Sequence, residues 1–215
     1  MTPWHRFTQM AHLVSLGLWL GTVVMSSAAA AVIFPTLKRL DAHLPAYEAY
    51  DGPHWLLAAG MVAERVFLIG DLVQFPCAIV AVVTLAVLIG VFRAGGPRVS
   101  LALRVLGLTV AVAALAAQLL IVSQAMNRSI TAYRAAALAG DTEAALRHQA
   151  AFNDLHPIAS NLMATVMVSV LVALAAGAWG AGGTGDAGTA TGSNTPASPP
   201  DGPRLEEPML LRGQR

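Results

Sequence analysis

Residues 68–92 read LIGDLVQFPCAIVAVVTLAVLIGVF, 25 positions with a single charged side chain, Asp71. Wound as an α-helix, this stretch is about 37 Å long, more than the roughly 30 Å hydrocarbon core of a bilayer. Residues 13–34, 99–124 and 158–179 have the same character. Each meets the roughly 20 apolar residues that a spanning helix requires. Four such runs predict an all-α, four-helix transmembrane bundle, hence a multi-pass integral membrane protein in contact with the lipid bilayer. The expected helices cover about 11–34, 66–92, 99–126 and 156–179, with all four spans in one domain, 1–179.

The composition agrees. Of 215 residues, 56% are hydrophobic and 12% charged, against about 25% charged in ordinary globular domains. The formal net charge of +1 offers no basic field for nucleic acid, so no nucleic-acid partner is expected. The single cysteine, Cys77, excludes an intramolecular disulfide and a zinc site built on several thiolates.

The N-terminus resembles a signal peptide in part: Arg6, apolar residues 13–25, then the small-residue run 26–31. The apolar character continues through Val32, Ile33 and Phe34, which favours an uncleaved span. Residues 1–8 read as a polar lead, and Pro35 as the end of the first helix. Polar residues 36–53 form a loop. Residues 54–70 read as a helix that lies at the interface or prolongs the second span beyond it. Pro76 is an expected kink. The short turn 93–98, with Gly95, Gly96 and Pro97, makes the second and third helices antiparallel neighbours. In the polar segment 127–153, good helix formers flank Gly140-Asp141. The last span is expected to start at His156-Pro157, since proline suits a first helical turn. From 180 to 215 the chain is rich in Gly, Ala, Thr, Ser and Pro and reads as a disordered tail.

Two helix–loop–helix hairpins follow one another without a residue-level repeat. Four spans place both termini on one side, termed A, with the 93–98 turn; the long polar segments lie on side B. The arginine-dense turn points to side A as cytoplasmic. With no organellar targeting signal visible, the plasma membrane is the expected location.

Polar residues within spans are functional suspects because lipid solvates them poorly. In the first span His12, Ser15, Trp19, Thr22, Ser26 and Ala29 alternate in steps of three and four and so share a face. His12, Gly17, Trp19 and Gly21 are candidates for helix packing, Gly17 and Gly21 as a GxxxG pair. In the second span Asp71 and Gln74 lie one turn apart, with Arg65 or Arg128 as possible ion-pair partners of Asp71. Gln124 and Asn127 close the third span; His156, Ser160 and Asn161 open the fourth. Asp71, Gln74, Gln124, Asn127, His156, Ser160 and Asn161 therefore form a candidate side-B cluster that either binds a small molecule or ion or fixes the bundle.

Haem needs two axial groups at one depth. His12 and His156 sit at opposite ends of spans about 33 Å long, so no haem is expected. His54, His148 and His156 are weak metal candidates with irregular spacing. No cofactor is expected. GxGxxG before a helix, P-loop, HExxH and GxSxG motifs are all missing, so an enzyme is the less expected reading.

HLVSLGLWLG at 12–21, VIFPTLKRL at 32–40 and FNDLHPIASNLM at 152–163 together resemble the transmembrane protein 205 family. The likeness covers the first and last spans. It implies a four-helix membrane bundle and draws attention to His12, Trp19, Gly21, His156, Ser160 and Asn161. Pro157 stands where the family tends to carry glycine. The family implies no reaction or substrate. The expected function is thus a non-enzymatic membrane component that binds an ion, a small molecule or a partner; a small oligomeric transporter and a metal-handling or redox protein are the alternatives. A homo-oligomer would suit the transporter.

Overall fold

A computed structural model describes residues 2–92 and 98–182, with side chains through residue 180. Among these residues there is no strand. The helices are α1 (Pro3–Arg39), α2 (His54–Gly90), α3 (Arg98–Ala117), α4 (Ser123–Leu138) and α5 (Thr142–Gly182). A π-helical turn, Gln118–Val122, joins α3 to α4, so Arg98–Leu138 runs as one rod. Four rods are thus long and apolar enough to cross a membrane. The chain is a multi-pass membrane protein, as the apolar runs require.

The helices reach past the expected spans, for local reasons. The polar lead is helical from Pro3: the Thr2 hydroxyl accepts from the His5 N–H at 3.3 Å, and proline fits the first turn. Pro35 and Pro157 were expected to mark boundaries, yet α1 and α5 continue through both. Both prolines, like Pro76, are exposed. The break at Gly140-Asp141 is where expected. Gly140 adopts φ +74°, its N–H donates to the Ala137 carbonyl and that of Asp141 to the Ala136 carbonyl. This left-handed closure ends α4. Asp141 Oδ1 then accepts from the Ala144 N–H at 2.9 Å and caps α5. At its other end α5 holds residues 180–182, assigned to the tail by composition; the rest of that tail and residues 93–97 lie outside the described residues.

Packing is strongest within two hairpins, α1 on α2 and α3–α4 on α5, and α1 against α5 joins them. Despite their short connection, α2 and α3 touch only slightly. Their main partners are instead α1 for α2 and α5 for α3. Trp19, Leu16 and Val23 of α1 meet Ala78, Ala81 and Leu85 of α2, Ala111 and Leu115 of α3, and Val166, Val170 and Ala173 of α5 in one core. Outward faces carry Val83, Leu106, Val168 and Leu171, each more than half exposed. A soluble bundle would bury such a surface; a lipid-facing one needs it.

A 37-residue helix is about 55 Å long, so the rods overshoot the hydrocarbon core. On side B the excess forms a cap with its own core: Tyr50, Leu57, Tyr133, Ala137 and Ala145. The Tyr50 and Tyr133 hydroxyls lie 3.1 Å apart, Glu64 pairs with Arg134 at 2.6 Å, and the Asp51 N–H donates to Thr142 Oγ1. Burial, then the bond with Tyr50, raises the Tyr133 phenol above its ordinary value of 10.0. The folded state therefore keeps that proton longer than the unfolded chain does. Stability from Tyr133 is full below pH 10.0 and falls as pH rises further. Tyr133→Phe is expected to flatten that alkaline loss in a pH series of melting temperatures; an unchanged slope would assign it to other groups.

Candidate functional site: unpaired charges inside the bundle

Within the four apolar stretches there is one carboxylate, Asp71, and one guanidinium, Arg104. They do not pair. Asp71 lies about 28 Å along α2 from its side-A end, and Arg104 about 9 Å along α3 from the same end. The ion pairs among the described residues are Arg134–Glu64 and Arg147–Glu143. Neither Arg65 nor Arg128 partners Asp71.

Asp71 is half-buried and ends a directed chain of donors. Trp19 Nε1 donates to Gln74 Oε1 at 3.1 Å, and Gln74 Nε2 donates to Asp71 Oδ1 at 3.4 Å. Trp19 is 0% exposed and Gln74 4%. The amide of Gln74 is thus oriented by the indole, and its NH2 group must point at the carboxylate. Alpha-helical spacing places Asp71 and Gln74 on one face of α2. Gly70 lets that face approach α1: a Cβ there would stand 2.8 Å from Ser26 Oγ.

The other members of the candidate side-B cluster do not join Asp71 and Gln74. Gln124, Asn127, His156, Ser160 and Asn161 are exposed on their helices. Their periodicity was real, but the stripe turns outward from the core. The metal candidates also separate. Leu44 N–H donates to His54 Nδ1, so His54 Nε2 carries the proton and donates to the Tyr50 carbonyl at 2.8 Å. The one ring lone pair, on Nδ1, is thus taken by Leu44 and not free for a metal. His148 and His156 share α5 and are spaced by about 12 Å of helix rise. No group of three or more metal-ligating side chains of the His, Cys, Asp and Glu types occurs among the described residues.

The helix-packing candidates divide. His12 is 0% exposed, and its Nδ1 lies 3.1 Å from the Ala81 carbonyl and 3.0 Å from Thr84 Oγ1. The Thr84 hydroxyl reaches the Val80 carbonyl at 2.6 Å, so the imidazole donates from Nδ1 and pins α1 to α2. Gly17 and Gly21 instead face outward, with open space where a Cβ would be.

Sequence reasoning passed over two groups. Arg104 lies outside every candidate set drawn from the sequence, yet it is 7% exposed. Gln118, in the π-turn, has a buried Oε1 without a partner. A lone arginine six residues into an apolar run was the available signal for the first. The second had none, because a π-turn leaves no fixed sequence mark.

The bundle, its lipid-facing surface and these interior polar groups define an α-helical integral membrane protein. No protein-family model, no curated protein and no solved structure matches the chain.

Proposed function

We propose that this protein is a non-enzymatic membrane component that binds a cation or a proton at Asp71. The observation that carries the reading is a half-buried carboxylate within a span, held by an oriented amide and lacking a cationic partner among the described residues. A carboxylate so placed is kept at a cost in solvation, which marks ion and proton sites in membranes. In this reading the termini lie in the cytoplasm and the membrane is the plasma membrane. Kinship with the transmembrane protein 205 family belongs to the same proposal and rests on the motifs around His12 and His156.

Asp71→Asn removes the charge and keeps an oxygen for Gln74 Nε2. With the full chain in mild detergent, titration with sodium, potassium or calcium salts is expected to raise the melting temperature of the wild type and leave Asp71→Asn unmoved. Reconstituted into liposomes with a pH-sensitive dye, the same pair distinguishes proton uptake from metal-cation binding. Equal responses of both proteins in every arm would remove Asp71 as the site. His156→Ala, on the exposed stripe, is expected to change stability by less than about 0.5 kcal/mol.

A small oligomeric transporter is the second reading, favoured by the outward Gly17 and Gly21. Helix pairs in lipid associate through such small residues because backbones can then approach closely. A strictly monomeric species in native-like lipid would count against it.

A further inference from the structure

The side-A end of the bundle is cationic. The acids among the described residues lie in the loop after α1, in the α4–α5 turn or in the side-B halves of their helices, whereas Arg6, Arg98 and Arg104 gather at side A. The termini of α1 and α5 meet there: Gln9 Nε2 donates to the Gly177 carbonyl at 3.4 Å. Arg104 Nη2 donates to Gln9 Oε1 at 3.3 Å, while its buried Nε has no partner. His12, one turn on from Gln9, has Nδ1 committed to α2 and a buried Nε2 with no partner. Gly177 of α5 lies against the guanidinium: a Cβ there would stand 3.6 Å from Arg104 Nε, in ordinary contact, and 2.9 Å from Leu13 Cδ2. Two helix N-termini and two C-termini converge at this end, so their macrodipoles largely offset one another and do not neutralise the guanidinium.

A buried cation with no acid beside it calls for a counter-anion. We propose that Arg104, with Gln9 and His12, binds a phosphate-type oxyanion at side A, carried by a lipid headgroup or by a free small anion. The unpartnered Nε supplies a charge-assisted bond to an anionic oxygen. A P–O–H group of the ligand gives His12 Nε2 the donor it lacks. Arg6, one turn before Gln9, lines a shallow recess with Pro3, Phe7 and Met10 at the same end. This site is remote from Asp71 and does not depend on what Asp71 binds.

The test uses the full chain in neutral detergent. Its melting temperature is followed against inorganic phosphate, and separately against phosphatidic acid in mixed micelles with phosphatidylcholine as the zwitterionic control. A rise with phosphate assigns a free anion; a rise with phosphatidic acid alone assigns a lipid headgroup. Arg104→Met is expected to abolish either rise. Arg104→Lys keeps the charge without the planar fork and is expected to weaken binding about tenfold. It decides the matter should Arg104→Met not fold. Absence of a rise with both probes, or a rise that survives in the Arg104 variants, would overturn the proposal.

Discussion

Trp19→Ala is expected to destabilise the bundle by about 3–5 kcal/mol, the range for emptying a large aromatic site. Trp19 is 0% exposed and touches the core shared by α1, α2, α3 and α5. In a bilayer the unfolded reference still holds its helices in lipid, so transfer from water contributes little. Lost dispersion contacts and the residual cavity carry the cost. A second loss is polar. Without the indole N–H, the 4%-exposed Gln74 keeps an Oε1 with no donor, a penalty of about 1–3 kcal/mol. Trp19→Phe separates the two, since it retains most of the volume and removes only the donor. Its expected cost is therefore the polar penalty alone. Denaturant titration in mixed micelles, read by far-UV circular dichroism, measures both variants. Equal losses would place the whole effect in the hydrogen bond. No loss in Trp19→Phe would mean that Gln74 finds another donor in place of the indole.

The residues differ in how legible they were, and the reasons are physical. His12, Ser15, Trp19, Thr22, Ser26 and Ala29 alternate in steps of three and four; His12, Ser15, Trp19 and Ser26 are buried, and Thr22 and Ala29 half-buried. Asn153, His156 and Ser160 follow a similar spacing and are exposed. Periodicity tells which residues share a face of a helix, not what that face meets. In a soluble helix polarity would answer the second question, because water takes the polar side. In a membrane both sides of the bundle wall are apolar, and near side B headgroups and water blur the rule further. Arg104 shows the complementary gap. Its burial comes from other helices: Gln9 of α1 accepts from it, and Gly177 of α5, 73 positions away, lies against it. The four spans themselves were plain, because length and hydropathy need no partner to be read. The cap was only half legible. Helix formers around Gly140-Asp141 indicated its helices, while the meeting of Tyr50 with Tyr133 depends on the loop after α1 folding back over them.

Gly107→Ala is expected to lower stability by about 1–3 kcal/mol, as overpacking of a tight contact does. A Cβ at Gly107 would stand 2.8 Å from the Ser169 carbonyl oxygen and 3.3 Å from both the Ala173 Cβ and its backbone nitrogen. The atoms in the way are mostly backbone of α5, which cannot rotate aside as a long side chain would. Nor can α5 retreat easily, since Val170 and Ala173 are each 0% exposed in the same core. Helix propensity works in the other direction, by up to about 1 kcal/mol for glycine to alanine, and sets the lower end of the range. Gly17→Ala and Gly21→Ala form the contrast. Neither Cβ would meet an atom within 4 Å, so a monomer is expected to gain up to about 1 kcal/mol from propensity alone. The motif that looks strongest in the sequence is thus expected to be silent within one chain, while an unremarked glycine in α3 is costly. If Gly17→Ala weakens a dimer in lipid while leaving the monomer intact, the outward pair serves contact between copies. If instead Gly107→Ala is tolerated and Gly17→Ala unfolds the monomer, α3 and α5 stand farther apart than described and α1 is turned about its axis, which would also withdraw Trp19 from Gln74.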